Sequence, residues 1–314
     1  MTVRVNANAA HRPIGIGLLA GYLGLYAAML LAMRRTGNFD IAEPLLVFGI
    51  LGVGFSLAAW LLTARVSPLD YAVVSPKQEL ATVGAYLAPV VVFVTWGLGF
   101  LHRYFPTDPE NAVVILTAKL ILFVVIPAMI FQVQFGYSLR QLAPSSARGG
   151  YLLVALGMSV LLLGFQAVLG HGLRDIASAH LPPATLFYGL PLTFVWLAIE
   201  AGVVEEFFFR VLLQTRLSAV LKSELGGIVV MALAFGLAHA PGIYLRTGLT
   251  QEGLQHPSLL MAVGYSIVIV SLAGFFLGVL WARTRNFAVV VVVHAAGDLL
   301  PNLLPTLRSL HLLH

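Results

Sequence analysis

Nine long apolar runs constrain this chain more than any other feature of its sequence. A helix that crosses the hydrocarbon core of a bilayer needs about 20 predominantly apolar residues. The runs are close to that length and lie near residues 14–33, 45–64, 81–101, 112–135, 151–169, 186–209, 226–245, 258–282 and 286–304. Apolar residue types make up 59% of the chain and charged types only 10%, which excludes a water-soluble globule. The sequence therefore predicts an all-α fold, a polytopic transmembrane helical bundle of about eight or nine spans.

The segments between the runs indicate orientation and exclude several classes of partner. With the N-terminus inside, the inner segments carry 11 Lys and Arg residues and the outer segments carry 6, which favours that orientation. Much of the net charge of +5 thus lies at helix ends, and the sequence predicts no nucleic-acid binding. The absence of cysteine excludes disulfides, thiolate metal sites and cysteine nucleophiles. We expect a multi-pass integral membrane protein.

A few ionisable residues lie inside the apolar runs, where a charge is costly and so predicts a function. They form three short motifs, which are Glu205-Glu206-Phe-Phe-Phe-Arg210, Phe235-Gly-Leu-Ala-His239 and His294-Ala-Ala-Gly-Asp298. Counting residues from the predicted inner turns, at 1.5 Å per helical residue, puts the acids and imidazoles of all three at similar depth. The sequence predicts that these side chains meet.

Helical spacing predicts how the motif residues are arranged. Glu206 and Arg210 are four residues apart with the carboxylate first, which is the favoured arrangement for an ion pair along one helix face. In an α-helix, Glu205 points about 100° away from Glu206. At the same four-residue spacing, Phe235 is expected to pack its ring against His239.

Two other charges interrupt the runs, Glu200 in the sixth and Lys119 in the fourth. Glu200 either lines the mouth of the cavity or forms a structural ion pair with Lys119. We favour the ion pair, because several like carboxylates so close together do not all ionise. The residues Phe207, Phe208 and Phe209 are expected to face lipid or to pack against other helices.

Carboxylates and imidazoles at one place in the membrane favour hydrolysis of a peptide-like bond. A carboxylate beside an imidazole can take a proton from water and make the water a nucleophile. A second imidazole can stabilise the oxyanion that forms on the attacked carbonyl. A divalent metal held by the same residues could do both, although the zinc-protease motif His-Glu-x-x-His is absent. Both alternatives stay open.

The three motifs resemble those of the CPBP family of intramembrane proteases, which includes CAAX-processing endopeptidases and bacterial Abi or bacteriocin-processing relatives. The family pattern is Glu-Glu-x-x-x-Arg, then Phe-x-x-x-His, then His-x-x-x-Asn or Asp. The resemblance covers about residues 190–304. It implies a CPBP-like core at 186–304, preceded by transmembrane helices without a recognised motif at 1–185 and followed by a short tail at 305–314.

The resemblance also implies a role for each motif residue. Glu205 is the water-activating base with His239 beside it, and His294 and Asp298 stabilise the oxyanion. Glu206, Arg210 and Phe235 support the site. Asp298 departs from the amide of the eukaryotic-type enzymes, because an ionised Asp can only accept hydrogen bonds. It must be protonated, orient His294 or bind a cation, so a divalent metal such as zinc and a metal-free glutamate mechanism are both open, with the four catalytic candidates as metal ligands.

The implied function is an intramembrane endopeptidase that acts on a membrane-associated peptide or protein in a bacterial cytoplasmic membrane. One alternative is a transporter or proton-relay protein, since buried carboxylates and histidines also mark ion paths. A second is a non-catalytic membrane scaffold that binds peptides. The substrate, a requirement for a prenyl group and the oligomeric state do not follow from the sequence.

Overall fold

The computed structural model describes residues 12–37, 39–71, 73–245 and 256–313. These residues are mostly helical and contain no strand. Within this part of the chain, eight helices are long and apolar enough to cross a membrane, namely Pro13–Arg34, Ala42–Leu62, Glu110–Phe135, Tyr151–Leu169, Pro183–Leu221, Glu224–Leu245, Leu259–Thr284 and Phe287–Ser309. The predicted all-α polytopic bundle is confirmed, and the protein is a multi-pass integral membrane protein.

The third predicted run is helical but is not among these eight. It corresponds to the consecutive segments Pro76–Val92, Phe93–Gly97 and Leu98–Tyr104. The predicted orientation depends on whether this helix crosses the membrane, so the inside location of the N-terminus stays a prediction. Of the basic residues in the charge count, Arg4 and Arg246 lie outside the described residues.

Several spans contain π-helical segments, in which hydrogen bonds join residues five apart. In the described residues these segments are Phe48–Phe55, Phe93–Gly97, Ile121–Val125, Ala198–Val203, Glu206–Gln214 and Ser266–Val270. The regular α-helix predicted for the sixth run is therefore wrong over most of 198–214. The wider π turn changes the angle between successive side chains, so the separation predicted for Glu205 and Glu206 does not apply.

The chain divides into two compact units, the first made of residues 1–80 and 209–285. The helices and π segments that lie wholly within it are Arg12–Arg34, Ala42–Val47, Phe48–Phe55, Ser56–Leu62, Thr215–Leu221, Glu224–Leu245, Leu259–Tyr265, Ser266–Val270 and Ser271–Thr284. Glu224–Leu245 lies at its centre and packs against Ser271–Thr284 and Arg12–Arg34. A buried ion pair joins Arg216 Nε to Glu79 Oε2 at 2.8 Å.

The second unit is made of residues 81–208 and 286–314. It contains Glu110–Leu120, Ile121–Val125, Ile126–Phe135, Leu139–Leu142, Tyr151–Leu169, Gly172–Ser178, Pro183–Leu197, Ala198–Val203 and Phe287–Ser309, together with most of Pro76–Tyr104. The last helix packs along Tyr151–Leu169 and against the segments Pro183–Leu197 and Ala198–Val203. It continues past residue 304, into the predicted tail. The predicted boundary at 185 and 186 stays a prediction.

Candidate active site

His294 lies among three carboxylates inside the second unit. Its Nδ1 is 2.7 Å from Glu206 Oε1. Its Nε2 is 3.3 Å from Asp298 Oδ2 and 3.9 Å from Glu205 Oε2. Because an ionised carboxylate can only accept a hydrogen bond, Nδ1–H donates to Glu206, and Nε2 is the nitrogen directed to the other two acids. The structure thus brings together four of the predicted site residues.

Exposure increases across this cluster from Glu206 to Asp298. The Glu206 side chain is fully buried and that of His294 is 8% exposed. The exposed fraction rises to 22% for Glu205 and 37% for Asp298. A carboxylate in a spanning helix is costly against hydrocarbon, so we expect the exposed edges of these two acids to face water. The cluster is thus buried at Glu206 and most exposed at Asp298.

Close packing between two helices places the Glu-Glu pair beside His294. A Cβ atom at Gly202 would lie 3.0 Å from both the carbonyl oxygen and Cγ1 of Val291. Since Gly202 precedes Glu205 by three residues and Val291 precedes His294 by three, this approach lies one turn from the acids and the imidazole. The missing side chain at Gly202 is what lets the two backbones come so close.

The phenylalanines that follow the acids pack inside the protein. Phe207 packs edge-on against Phe287, with ring centroids 6.2 Å apart. Phe208 packs edge-on against Phe123 at 5.2 Å. Both are almost fully buried, so the packing alternative is confirmed for them, and they fix the segment that carries Glu205.

The sequence does not predict the contact between Glu206 and His294. Helical spacing predicts an ion pair of Glu206 with Arg210, which stays a prediction, and the structure shows Glu206 as the partner of the His294 Nδ1. The two residues are 88 positions apart, and a four-residue spacing contains no information on contacts between helices. No signal in a single sequence could have identified this pair.

In the first unit, Arg210, Phe235 and His239 form a stack. The Arg210 guanidinium lies over the Phe235 ring, 4.6 Å from its centroid. The Phe235 and His239 rings are 4.8 Å apart, which confirms the predicted aromatic packing. The His239 Nδ1 lies 2.8 Å from the Phe235 carbonyl oxygen. Because a carbonyl can only accept, Nδ1 carries hydrogen, and Nε2 is the nitrogen that can exchange a proton.

The predicted proximity of His239 to Glu205 stays a prediction, because these residues belong to different units. The predicted ion pair between Lys119 and Glu200, both in the second unit, is confirmed. Both side chains are about one-quarter exposed, at 28% and 25%.

Among the described residues, no group of three or more His, Cys, Asp or Glu side chains is placed to hold a metal ion. His239, one of the four predicted ligands, belongs to a different unit from the other three. The predicted divalent metal stays a prediction.

Comparison with known proteins supports the motif-based resemblance. Residues 187–300 match the family model described as Rce1-like, "Type II CAAX prenyl endopeptidase Rce1-like". This range contains all three motifs, so the resemblance to CPBP-type proteases is confirmed over this part of the chain. A search of curated proteins gave no match, and neither did a search of solved structures.

Proposed function

We propose that the chain is an intramembrane endopeptidase that hydrolyses a peptide bond of a membrane-associated protein or peptide. The observation that carries the proposal is His294, held by Glu206 on one nitrogen and facing Glu205 and Asp298 with the other. So many ionisable groups inside spanning helices are costly, and such groups are retained for function. The family match over residues 187–300 supports a protease of the CAAX type.

Glu205 is the proposed general base. Its carboxylate takes a proton from a water molecule while the water oxygen attacks the carbonyl carbon of the substrate. His239 assists this proton transfer through its Nε2, since its Nδ1 donates to the Phe235 carbonyl. The proton held by Glu205 then passes to the departing amine, so the peptide bond breaks and the site returns to its starting state.

His294 is the proposed oxyanion donor. With Nδ1–H directed to Glu206, a hydrogen on Nε2 can donate to the carbonyl oxygen as negative charge develops there. Asp298, 3.3 Å from Nε2, accepts this hydrogen before the substrate binds. Of the three roles open to Asp298, orientation of His294 is the one that this contact supports.

The test is cleavage of a peptide by the purified full chain in liposomes. The probe is an internally quenched peptide with a farnesylated cysteine three residues from its C-terminus, and the same peptide without the farnesyl group serves for comparison. We expect Glu205→Gln and His239→Ala each to lower the cleavage rate by about 10²-fold or more, the usual contribution of a general base. Glu110→Gln, an exposed acid at a helix start, is the matched control. Retained turnover in either site variant contradicts the mechanism.

The same assay decides the metal alternative. Cleavage that persists in 1,10-phenanthroline and in EDTA would support the metal-free glutamate mechanism. Loss of activity in the chelator, with recovery on addition of Zn²⁺, would show that a metal is needed.

A further inference from the structure

The spanning helix Glu110–Phe135 has two unlike halves. Pro127, Ala128 and Phe131 are buried in its second half, Ile126–Phe135. Every residue from Glu110 to Val125 keeps accessible surface. Only 11% of its most apolar window is buried, the smallest share among the eight candidate spans found in the described residues. Packing therefore holds the second half firmly and the first half weakly.

A weakened stretch of helix separates the two halves. Ile121–Val125 is π-helical, and Pro127 follows it immediately. Proline has no N–H to donate within the helix, and the carbonyl five residues earlier, that of Leu122, accepts from the Tyr86 hydroxyl at 2.7 Å. Proline and π turns are the common sites at which helices bend. The first half can thus change its angle relative to the second without loss of packing in the second.

The first half is tied to the spanning helix Pro183–Leu221 by the ion pair of Lys119 with Glu200. Both charges lie in spanning segments and both are about one-quarter exposed. Charged groups are costly against hydrocarbon, so we expect these exposed edges to contact water. The gate proposed below therefore requires a water-filled crevice between Glu110–Leu120 and Ala198–Val203, which the labelling experiment tests.

This crevice and the candidate active site share one helix. Glu200 precedes Glu205 by five residues, which is at most about 7.5 Å along the axis. Glu205 is itself 22% exposed. A passage opened at Glu200 would thus reach the level of the proposed base within two helical turns.

We propose that the Lys119–Glu200 ion pair closes a lateral gate, through which a membrane-anchored peptide enters between the first half of Glu110–Phe135 and the helix that carries Glu205. The gate opens when the ion pair separates and the first half swings about Ile121–Pro127. This inference rests on the proposed function for what happens to the peptide after entry, but entry itself can be measured without hydrolysis.

The experiment uses the natural absence of cysteine from the chain. In Lys119→Cys/Glu200→Cys, a short bis-methanethiosulfonate reagent joins the two positions, and a reducing agent releases them. The probe is the farnesylated peptide in liposomes. Its association with the protein is followed by fluorescence on a Glu205→Gln background, where it is not cleaved. Its cleavage is followed in the protein that retains Glu205. We expect the cross-link to stop both association and cleavage, and reduction to restore both.

A matched cross-link in the anchored half is the control. Thr82 and Gln134 lie 3.5 Å apart, Oγ1 to Oε1, in the same unit, and Gln134 belongs to the firmly packed half. Cross-linked Thr82→Cys/Gln134→Cys should associate with the peptide as its reduced form does. A neutral variant, Lys119→Met/Glu200→Met, removes the ion pair without leaving a lone charge and should speed association up to about fivefold, the range expected for a partly exposed ion pair.

Distinct outcomes separate the gate from the catalytic proposal. Peptide association that is blocked by the cross-link, in a protein that never cleaves the peptide, supports the gate and contradicts the proposed function. Equal association by the cross-linked and reduced forms overturns the gate. Failure of both single-cysteine variants to react with a charged methanethiosulfonate overturns it too, since the crevice would then be dry. A lack of peptide association in both the cross-linked and the reduced protein also overturns the gate.

Discussion

At the scale of single residues, Glu206 is the group that fixes the His294 ring. Its contact with Nδ1 selects which nitrogen faces Glu205 and Asp298. We expect Glu206→Ala to lower kcat by about 10²-fold, because the ring is then free to turn its donor away from the substrate. Glu206→Gln should lower kcat less, since the amide oxygen still accepts from Nδ1–H. Cleavage kinetics on the farnesylated peptide measure both.

Loss of folding is a separate explanation that has to be tested, since Glu206 is fully buried. Thermal unfolding of both variants in detergent provides the control. Equal kcat values for the Ala and Gln variants, in proteins that unfold at the wild-type temperature, would show that Glu206 does not act through His294.

Asp298 gives a second prediction at this scale. We expect Asp298→Asn to keep cleavage within about tenfold of wild type, because an amide can both accept from Nε2–H and donate to an oxyanion. Asp298→Ala removes the contact with His294 Nε2 at 3.3 Å and should lower the cleavage rate considerably more. The comparison is made from initial cleavage rates at saturating peptide. If Asn were as damaging as Ala, the carboxylate charge itself would be required, which would favour a bound cation.

Sequence patterns identify the candidate residues well but not their contacts. Glu205, Glu206, His294 and Asp298 could be selected because charges in apolar runs are rare, and the structure brings these four together. The predicted stack of Phe235 on His239 is confirmed because it depends only on helical spacing. The pairing of Glu206 with His294 depends on how two distant helices pack, and spacing along the chain does not encode it.

At the scale of elements, the position of the Glu-Glu pair depends on the approach of Ala198–Val203 to the last helix. We expect Gly202→Ala to destabilise the protein by about 1–3 kcal/mol, because its Cβ would overpack against the backbone of Val291. The same change should reduce cleavage, since Glu206 would move away from His294. Gly164→Ala is the matched control, because its Cβ would meet no atom within 4 Å. Both variants are characterised by thermal unfolding and by cleavage rates. A Gly202→Ala protein that unfolds at the wild-type temperature would show that the close approach to Val291 tolerates a side chain.

The spans themselves were predictable because the bilayer sets their length and requires an apolar surface. The π-helical segments were not. A π turn adds a residue to one turn of a helix without changing its composition or hydropathy. Its occurrence at Ala198–Val203 and Glu206–Gln214, on both sides of Glu205, is a matter of local backbone packing that apolar runs do not reveal.

At the scale of the whole molecule, the two compact units alternate along the chain, and each contains a part of the segment that matches the family model. Residues 209–285, with the Arg210–Phe235–His239 stack, belong to one unit, and the His294 cluster belongs to the other. A division of the sequence into consecutive blocks, such as 1–185 and 186–304, follows motif content. Spatial packing need not respect such blocks, because neighbours in a helical bundle are set by side-chain fit.

The arrangement of the chain across the membrane depends on the helix Pro76–Tyr104. If this helix crosses, the chain has nine spans, and the excess of Lys and Arg places the N-terminus inside. Since the chain contains no cysteine, single cysteines can report the side of each loop to a maleimide that does not cross membranes. With nine spans, we expect Ser67→Cys and Ser145→Cys to react from inside, and Thr107→Cys and Ala179→Cys from outside. A permeant maleimide, which should label all four, is the control for reactivity. Labelling of Ser67→Cys and Thr107→Cys from the same side would show that the helix does not cross, because only a crossing helix can separate its two ends.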